Sequence, residues 1–146
     1  MNIRDHKLAW RWTDIKNTVL PSDVLAQLKP FGLFDAALIH QRSLEFLDQE
    51  SLSQLYNQTQ IKIDELSSSE VSSWLEIQQP ILDAEVTLSW DPEAALKTTW
   101  AIFIKHWDEF CYPGSDDLVV FPSSNDWVLF YHHSEEFHFG KPSIDA

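Results

Sequence analysis

One cysteine, three glycines and ten basic residues stand among 146 positions. Each shortage removes a class of function. Cys111 alone can form no internal disulfide and no multi-cysteine zinc site, which fits a reducing compartment. Three glycines leave no phosphate-cradling loop, no dinucleotide fingerprint and no nucleophile elbow. No nucleotide or other cofactor is therefore expected. The chain contains no run of about 18 apolar residues, and Met1-Asn2-Ile3-Arg4-Asp5-His6 lacks the basic-then-apolar build of a signal peptide. The expectation is a soluble, cytoplasmic protein without membrane association.

Acidic residues are abundant. The chain carries 23 of them and a formal charge of −13. Residues 61–146 hold four basic against sixteen acidic side chains, a net −12. A surface of that sign repels phosphate backbones and anionic headgroups, so no nucleic acid is expected as a partner. A basic protein would be attracted.

Length and a 44% hydrophobic, 13% aromatic composition allow one domain over residues 1–146, with the serines at 67–69 as the best place for a subdomain seam. The clearest pattern is Ala84, Val86, Leu88 and Trp90 alternating with Asp83, Glu85, Thr87 and Ser89, the period of a half-buried strand. Asp91-Pro92-Glu93 then resembles a helix start. Leu96, Trp100, Phe103, Trp107 and Phe110 follow at spacings of three and four, which predicts a long helix over 92–111. After the turn residues Tyr112 to Asp117, the segments Leu118–Phe121, Trp127–His133 and Phe137–Phe139 read as an antiparallel meander. The middle one, apolar on nearly every residue, predicts a strand covered on both faces.

The first 80 residues are less legible. Ser22–Leu28 holds at most two helical turns between prolines. Residues 33–47 fit a helix, though Ala36–Ile39 could equally be a buried strand; Leu52, Leu55 and Tyr56 suggest a short helix, and Ile61–Asp64 a minor strand. Ser67 with Glu70 forms a capping box ahead of a helix ending before Pro80. The fold expected is α+β: a small antiparallel sheet of about four strands, the 92–111 helix on one face, and short N-terminal helices around it. Gly114 and Gly140 are assigned to tight turns.

Side chains able to do chemistry gather in His132-His133-Ser134-Glu135-Glu136-Phe137-His138, with Asp116-Asp117 nearby. Imidazoles and carboxylates are zinc or iron(II) ligands, so the candidates are His133, His138, Asp116 and Asp117. Strict alternation places His132 and His133 on opposite faces. Ordinary strand and turn hydrogen bonding explains the same residues, and no metal is expected on that reading. Cys111 and His106, five apart on a helix, would diverge by about 140°, which argues against a nucleophilic pair. Of the seven tryptophans, Trp10, Trp12 and Trp74 are the ones free to line a pocket.

The run Phe110-Cys111-Tyr112-Pro113-Gly114-Ser115-Asp116-Asp117, then Val119-Val120-Phe121, Trp127 to His133 and Phe137-His138-Phe139-Gly140, resembles a cadence recurring in small uncharacterised bacterial proteins. Some of these are similar to immunity proteins that neutralise secreted toxins. The resemblance implies a non-enzymatic protein-binding or immunity-like domain and carries no residue roles. The alternative from the residues themselves is a small metal- or acid/base-dependent hydrolase using the His132–His138 cluster. A homodimer formed through an exposed apolar strand face is a third reading.

Overall fold

Asp91-Pro92-Glu93 turns the chain back on itself instead of opening a helix. In the computed structural model, which describes residues 2–143, Asp91 Oδ1 accepts a hydrogen bond from the Glu93 amide at 2.7 Å. Such a side-chain-closed turn lets aspartate and proline start a hairpin as readily as a helix. The residues that follow are strand.

In chain order, a 3-10 turn at Ile3–Asp5 precedes helices α1 (Trp10–Thr13) and α2 (Ser22–Leu25), strand β1 (Lys29–Pro30) and helix α3 (Leu33–Leu44). A small ribbon, β2 (Leu47–Asp48) with β3 (Ser51–Leu52), leads to β4 (Tyr56–Lys62) and helix α4 (Ser68–Gln78). Then come β5 (Glu85–Asp91), β6 (Ala94–Thr99), helices α5 (Trp100–Lys105) and α6 (Trp107–Phe110), and the strands β7 (Leu118–Pro122), β8 (Val128–His132) and β9 (Glu136–Pro142). One sheet of seven strands runs in the order β1-β6-β5-β7-β8-β9-β4, and every neighbouring pair is antiparallel.

This corrects the expected sheet of about four strands with a long helix over 92–111. The first third of that segment is β6, sandwiched between β1 and β5. Ala94, Ala95, Leu96 and Thr98 are buried there, as suits a strand covered on both faces. Thr99 ends the strand and caps α5, its hydroxyl accepting from the Ile102 amide at 3.3 Å. Helix breaks again at His106, whose φ of −120° and ψ of 25° leave the α basin. The stripe Leu96, Trp100, Phe103, Trp107 and Phe110 is still buried throughout. A strand feeding two short helices offers the same apolar face, so burial survives while the secondary structure changes.

The helix expected at Leu52–Tyr56 is also absent, since Leu52 closes β3 and Tyr56 opens β4. Gly140 lies inside β9 rather than in a turn. A methyl group there would sit 3.0 Å from Tyr56 Cβ and 3.1 Å from Leu52 Cδ1, so close packing of the ribbon and β4 accounts for the missing side chain. Gly114, at φ +80°, does serve a turn. The Ser67–Glu70 capping box forms at both ends, with bonds of 3.2 and 3.1 Å.

Both faces of the sheet are covered. Val86, Leu88, Leu118, Val120, Leu129, Tyr131, Phe137 and Phe139 face a core with α1, α4, α5 and α6. On the reverse, Val119, Phe121, Val128 and Phe130 pack with Phe46 and Leu52, under the ribbon, while α3 crosses β5 and β6. These strand residues are thus covered by the chain itself. Trp12, expected to be free, is fully buried.

His6 lies against Trp12 and Trp90, ring centroids 5.5 and 5.7 Å away, and its Nδ1 accepts from the Leu8 amide at 3.0 Å. Burial pushes this imidazole down from 6.5 to about 4. A depressed pKa means that acid protonates the unfolded chain first, so the contribution is intact above 6.5 and is lost as pH falls towards 4. His6 alone is expected to remove about 2 kcal/mol of stability between pH 7 and pH 5. Urea unfolding at the two pH values checks this; His6→Asn, which keeps an acceptor for Leu8, should flatten the difference by that amount.

Candidate functional site

Asp116 and Asp117 are adjacent in sequence and go to opposite fates. The Asp116 carboxylate is buried and takes both arms of the Arg11 guanidinium, at 2.6 and 2.9 Å. It also accepts from the Tyr112 amide at 2.9 Å. The guanidinium carbon stands 3.9 Å from the Tyr112 ring centroid, a cation–π contact that desolvation strengthens. With its oxygens so occupied, Asp116 is a structural anchor between α1 and the loop before β7. Expected to be a site residue, it has no oxygen left to offer a ligand.

Asp117 points to the other side. Leu118 pairs with Tyr131, and continuing that antiparallel register sets Asp117 across from His132. Its Oδ1 accepts from the His133 backbone amide at 3.0 Å and lies 3.0 Å from His133 Nδ1. One ligand-capable atom from each of Asp117, His132 and His133 falls within 4.8 Å of the others. The two imidazole centroids are 4.1 Å apart. The expectation that alternation separates these histidines is corrected: β8 ends at His132, and His133 already belongs to the turn that Glu135, at φ +67°, closes.

The surroundings orient His132. Its Nδ1 is 2.6 Å from Ser134 Oγ, and that hydroxyl donates to Glu136 Oε2 at 2.8 Å. A carboxylate only accepts, so a serine proton given to Glu136 leaves the serine oxygen to accept from Nδ1–H, whereas the Ser134 amide, 3.2 Å from Nδ1, can only donate and calls for a lone pair there; the two tautomers compete for the ring. Nε2 lies 4.0 Å from Glu50 Oε2. Glu50 sits on the β2–β3 turn, which Gln49 bends with φ +60°.

His138 is close by but outside the three-residue cluster. It is buried beside Phe130, centroids 6.1 Å apart, with Nδ1 unpartnered, and burial lowers its pKa. It lines an open groove of about 270 Å³ with Asp48, Glu50, Glu136 and His132. A second groove of about 250 Å³, under α3, shares Glu50 and takes in Asp117. No lysine or arginine lines either groove.

The arrangement suits cation binding better than nucleophilic catalysis. A serine hydroxyl committed to Glu136 has its acid on the wrong partner for a nucleophile–imidazole–carboxylate relay. Cys111 is buried, and desolvation pushes its thiol well up, which keeps it an inert hydrophobe. Glu50 escaped the sequence reading because nothing in residues 45–52 announces the ribbon that carries it here.

The chain matches no protein-family model, no curated protein and no solved structure. Among the described residues, no helix is long and apolar enough to cross a membrane.

Because Arg11 and Asp116 are both buried, losing one partner strands the other charge. Asp116→Asn is expected to cost about 3–5 kcal/mol in urea unfolding. Asp117→Asn, at an exposed position that keeps an acceptor, should stay within about 0.5 kcal/mol of the parent.

Proposed function

We propose that this chain is a non-enzymatic acidic domain that binds a basic surface on another protein, in the manner of an immunity-type inhibitor covering a cationic site. The observation that supports it is the scarcity of internal partners for its carboxylates. Among the described residues, lysine or arginine comes within 4.0 Å only of Asp91, Glu93, Glu85 and Asp116. Many of the others among the described residues, Asp64, Glu65, Glu70 and Asp108 included, are exposed; there mutual repulsion destabilises the fold slightly and a cationic partner would relieve it.

One concentration of such charge lies where α4 begins. Asp64, Glu65 and Glu70 are exposed, and Ser68 Oγ donates to Asp108 Oδ2 at 3.5 Å, bringing a fourth carboxylate beside them. Nucleic acids and anionic membranes are disfavoured by the same charge. The proposal keeps a cytoplasmic setting, which a single buried thiol suits. The hydrolase alternative loses support, since Asp116 is committed to Arg11 and His138 stands apart from the Asp117 cluster.

Capture from a bacterial extract, followed by purification of the retained protein, tests this reading. The expected partner binds one to one, with an association rate that falls at least about tenfold between low and moderate salt. The double variant Asp64→Lys with Glu65→Lys should slow association further. A retained protein whose binding ignores salt and charge reversal, or no retention at low salt, contradicts it.

A further inference from the structure

We propose that Asp117, His132 and His133, closed by Glu50, form a binding site for one divalent transition-metal ion, with zinc the best fit. The inference is independent of any protein partner.

The donor set comes first. Two neutral imidazoles and two carboxylates supply two nitrogens and two oxygens and balance the charge of a dication. Such a mixture favours zinc and its first-row neighbours over magnesium or calcium, which take oxygen ligands. The geometry follows. Ligand bonds of about 2.0–2.1 Å in a tetrahedron put donors roughly 3.3 Å apart. Asp117 Oδ1 and His133 Nδ1 already stand 3.0 Å apart, and all three core donors lie within 4.8 Å. The remaining closure is a matter of side-chain rotation, because Asp117 is exposed and both histidines are only half-buried.

His132 is also oriented as a ligand would be. A metal-bound imidazole characteristically gives its other N–H to a carboxylate or hydroxyl, which fixes the tautomer. With the proton on Nδ1, the chain His132 Nδ1 to Ser134 Oγ to Glu136 Oε2, at 2.6 and 2.8 Å, provides that support and leaves Nε2 its lone pair for an ion. Glu50 is 4.0 Å from that Nε2 and lines one groove with Asp117 and another with His132. The fourth corner of the tetrahedron is therefore within reach of its carboxylate.

The bound ion would tie the tip of the β2–β3 turn to the β7–β8 end of the sheet. Four protein ligands leave no open position, so the site is structural: it adds a tie at the tip of a ribbon otherwise anchored through Phe46 and Leu52.

Titration calorimetry of chelator-treated protein with zinc chloride, and separately with magnesium chloride, tests the site. The expected result is one zinc per chain at micromolar affinity or tighter, a higher melting temperature, and no magnesium binding. Imidazole nitrogen resonances of His132 and His133 should move on zinc addition while those of His40 and His138 stay. That readout uses the unmodified protein and so does not depend on variants folding. His133→Ala and Asp117→Ala should each weaken binding at least about a hundredfold, and Glu136→Gln, acting through Ser134, about 10–100-fold. His40→Ala should leave affinity unchanged. Absence of saturable zinc binding, equal binding of magnesium, or resonance shifts spread evenly over the histidines overturns the proposal and leaves Asp117 and His133 a simple hydrogen-bonded surface pair.

Discussion

Indole N–H groups tie the helices to one another and, through Trp90 on β5, to the sheet. Trp12 donates to the Glu109 carbonyl at 2.8 Å and Trp90 to the Phe110 carbonyl at 2.9 Å. Trp100 donates to the Gln79 carbonyl at 2.7 Å and Trp107 to the Ser68 carbonyl at 3.1 Å. Three of these acceptors close helices α6 and α4, where the last carbonyls have no partner within their own helix. Helices of four to eleven residues are too short to stand on propensity alone. A ring that fills the core and supplies the missing donor does both jobs at once. The aromatic content is therefore spent on architecture, with Trp100 stacked on Phe103 and set against Trp127 at 4.9 Å.

The same clamp positions the candidate site. Trp12 packs on Phe110 at 5.5 Å, and the preceding residue, Arg11, holds Asp116. Once Asp116 is fixed, Asp117 has one place to be, at the mouth of β7 beside the end of β8. Tyr131 sits in the core next to His132, paired with Leu118 and Phe137, so the histidine turn is set by buried residues on both sides. The ribbon that brings Glu50 is attached more lightly, through Leu52 and Phe46 on the reverse face. A tight backbone on one side and a light ribbon on the other is an arrangement a bound ion would complete.

Much of this was readable from local pattern, and the failures have physical reasons. Strands β5, β7, β8 and β9 show alternation or dense apolar runs between turn residues, and they lie where those signals put them. Strand β6 was hidden because aspartate, proline and glutamate suit a helix start and a hairpin equally, and because a strand joined to a helix reproduces helical spacing in its buried residues. Strand β4, Tyr56-Asn57-Gln58-Thr59-Gln60, is polar at the sheet edge and carries no alternation to detect. Two-residue strands such as β1 and β2 are made by their partners and have no pattern of their own. At the site, Asp117 and His133 were legible as metal-type residues. Asp116 was misassigned because its partner, Arg11, is 105 positions away, and His132 because alternation was extended one residue past the strand's end.

Four particular indoles are hydrogen-bonded inside the fold, while those of Trp10 and Trp74 are not. Hydrogen exchange of the tryptophan side-chain N–H groups, followed by NMR, measures that directly. Trp12, Trp90, Trp100 and Trp107 are expected to exchange slowly, near the rate of global unfolding, with Trp10 and Trp74 exchanging within the dead time. Rapid exchange at Trp100 and Trp107, or uniform rates over all six, would contradict the account.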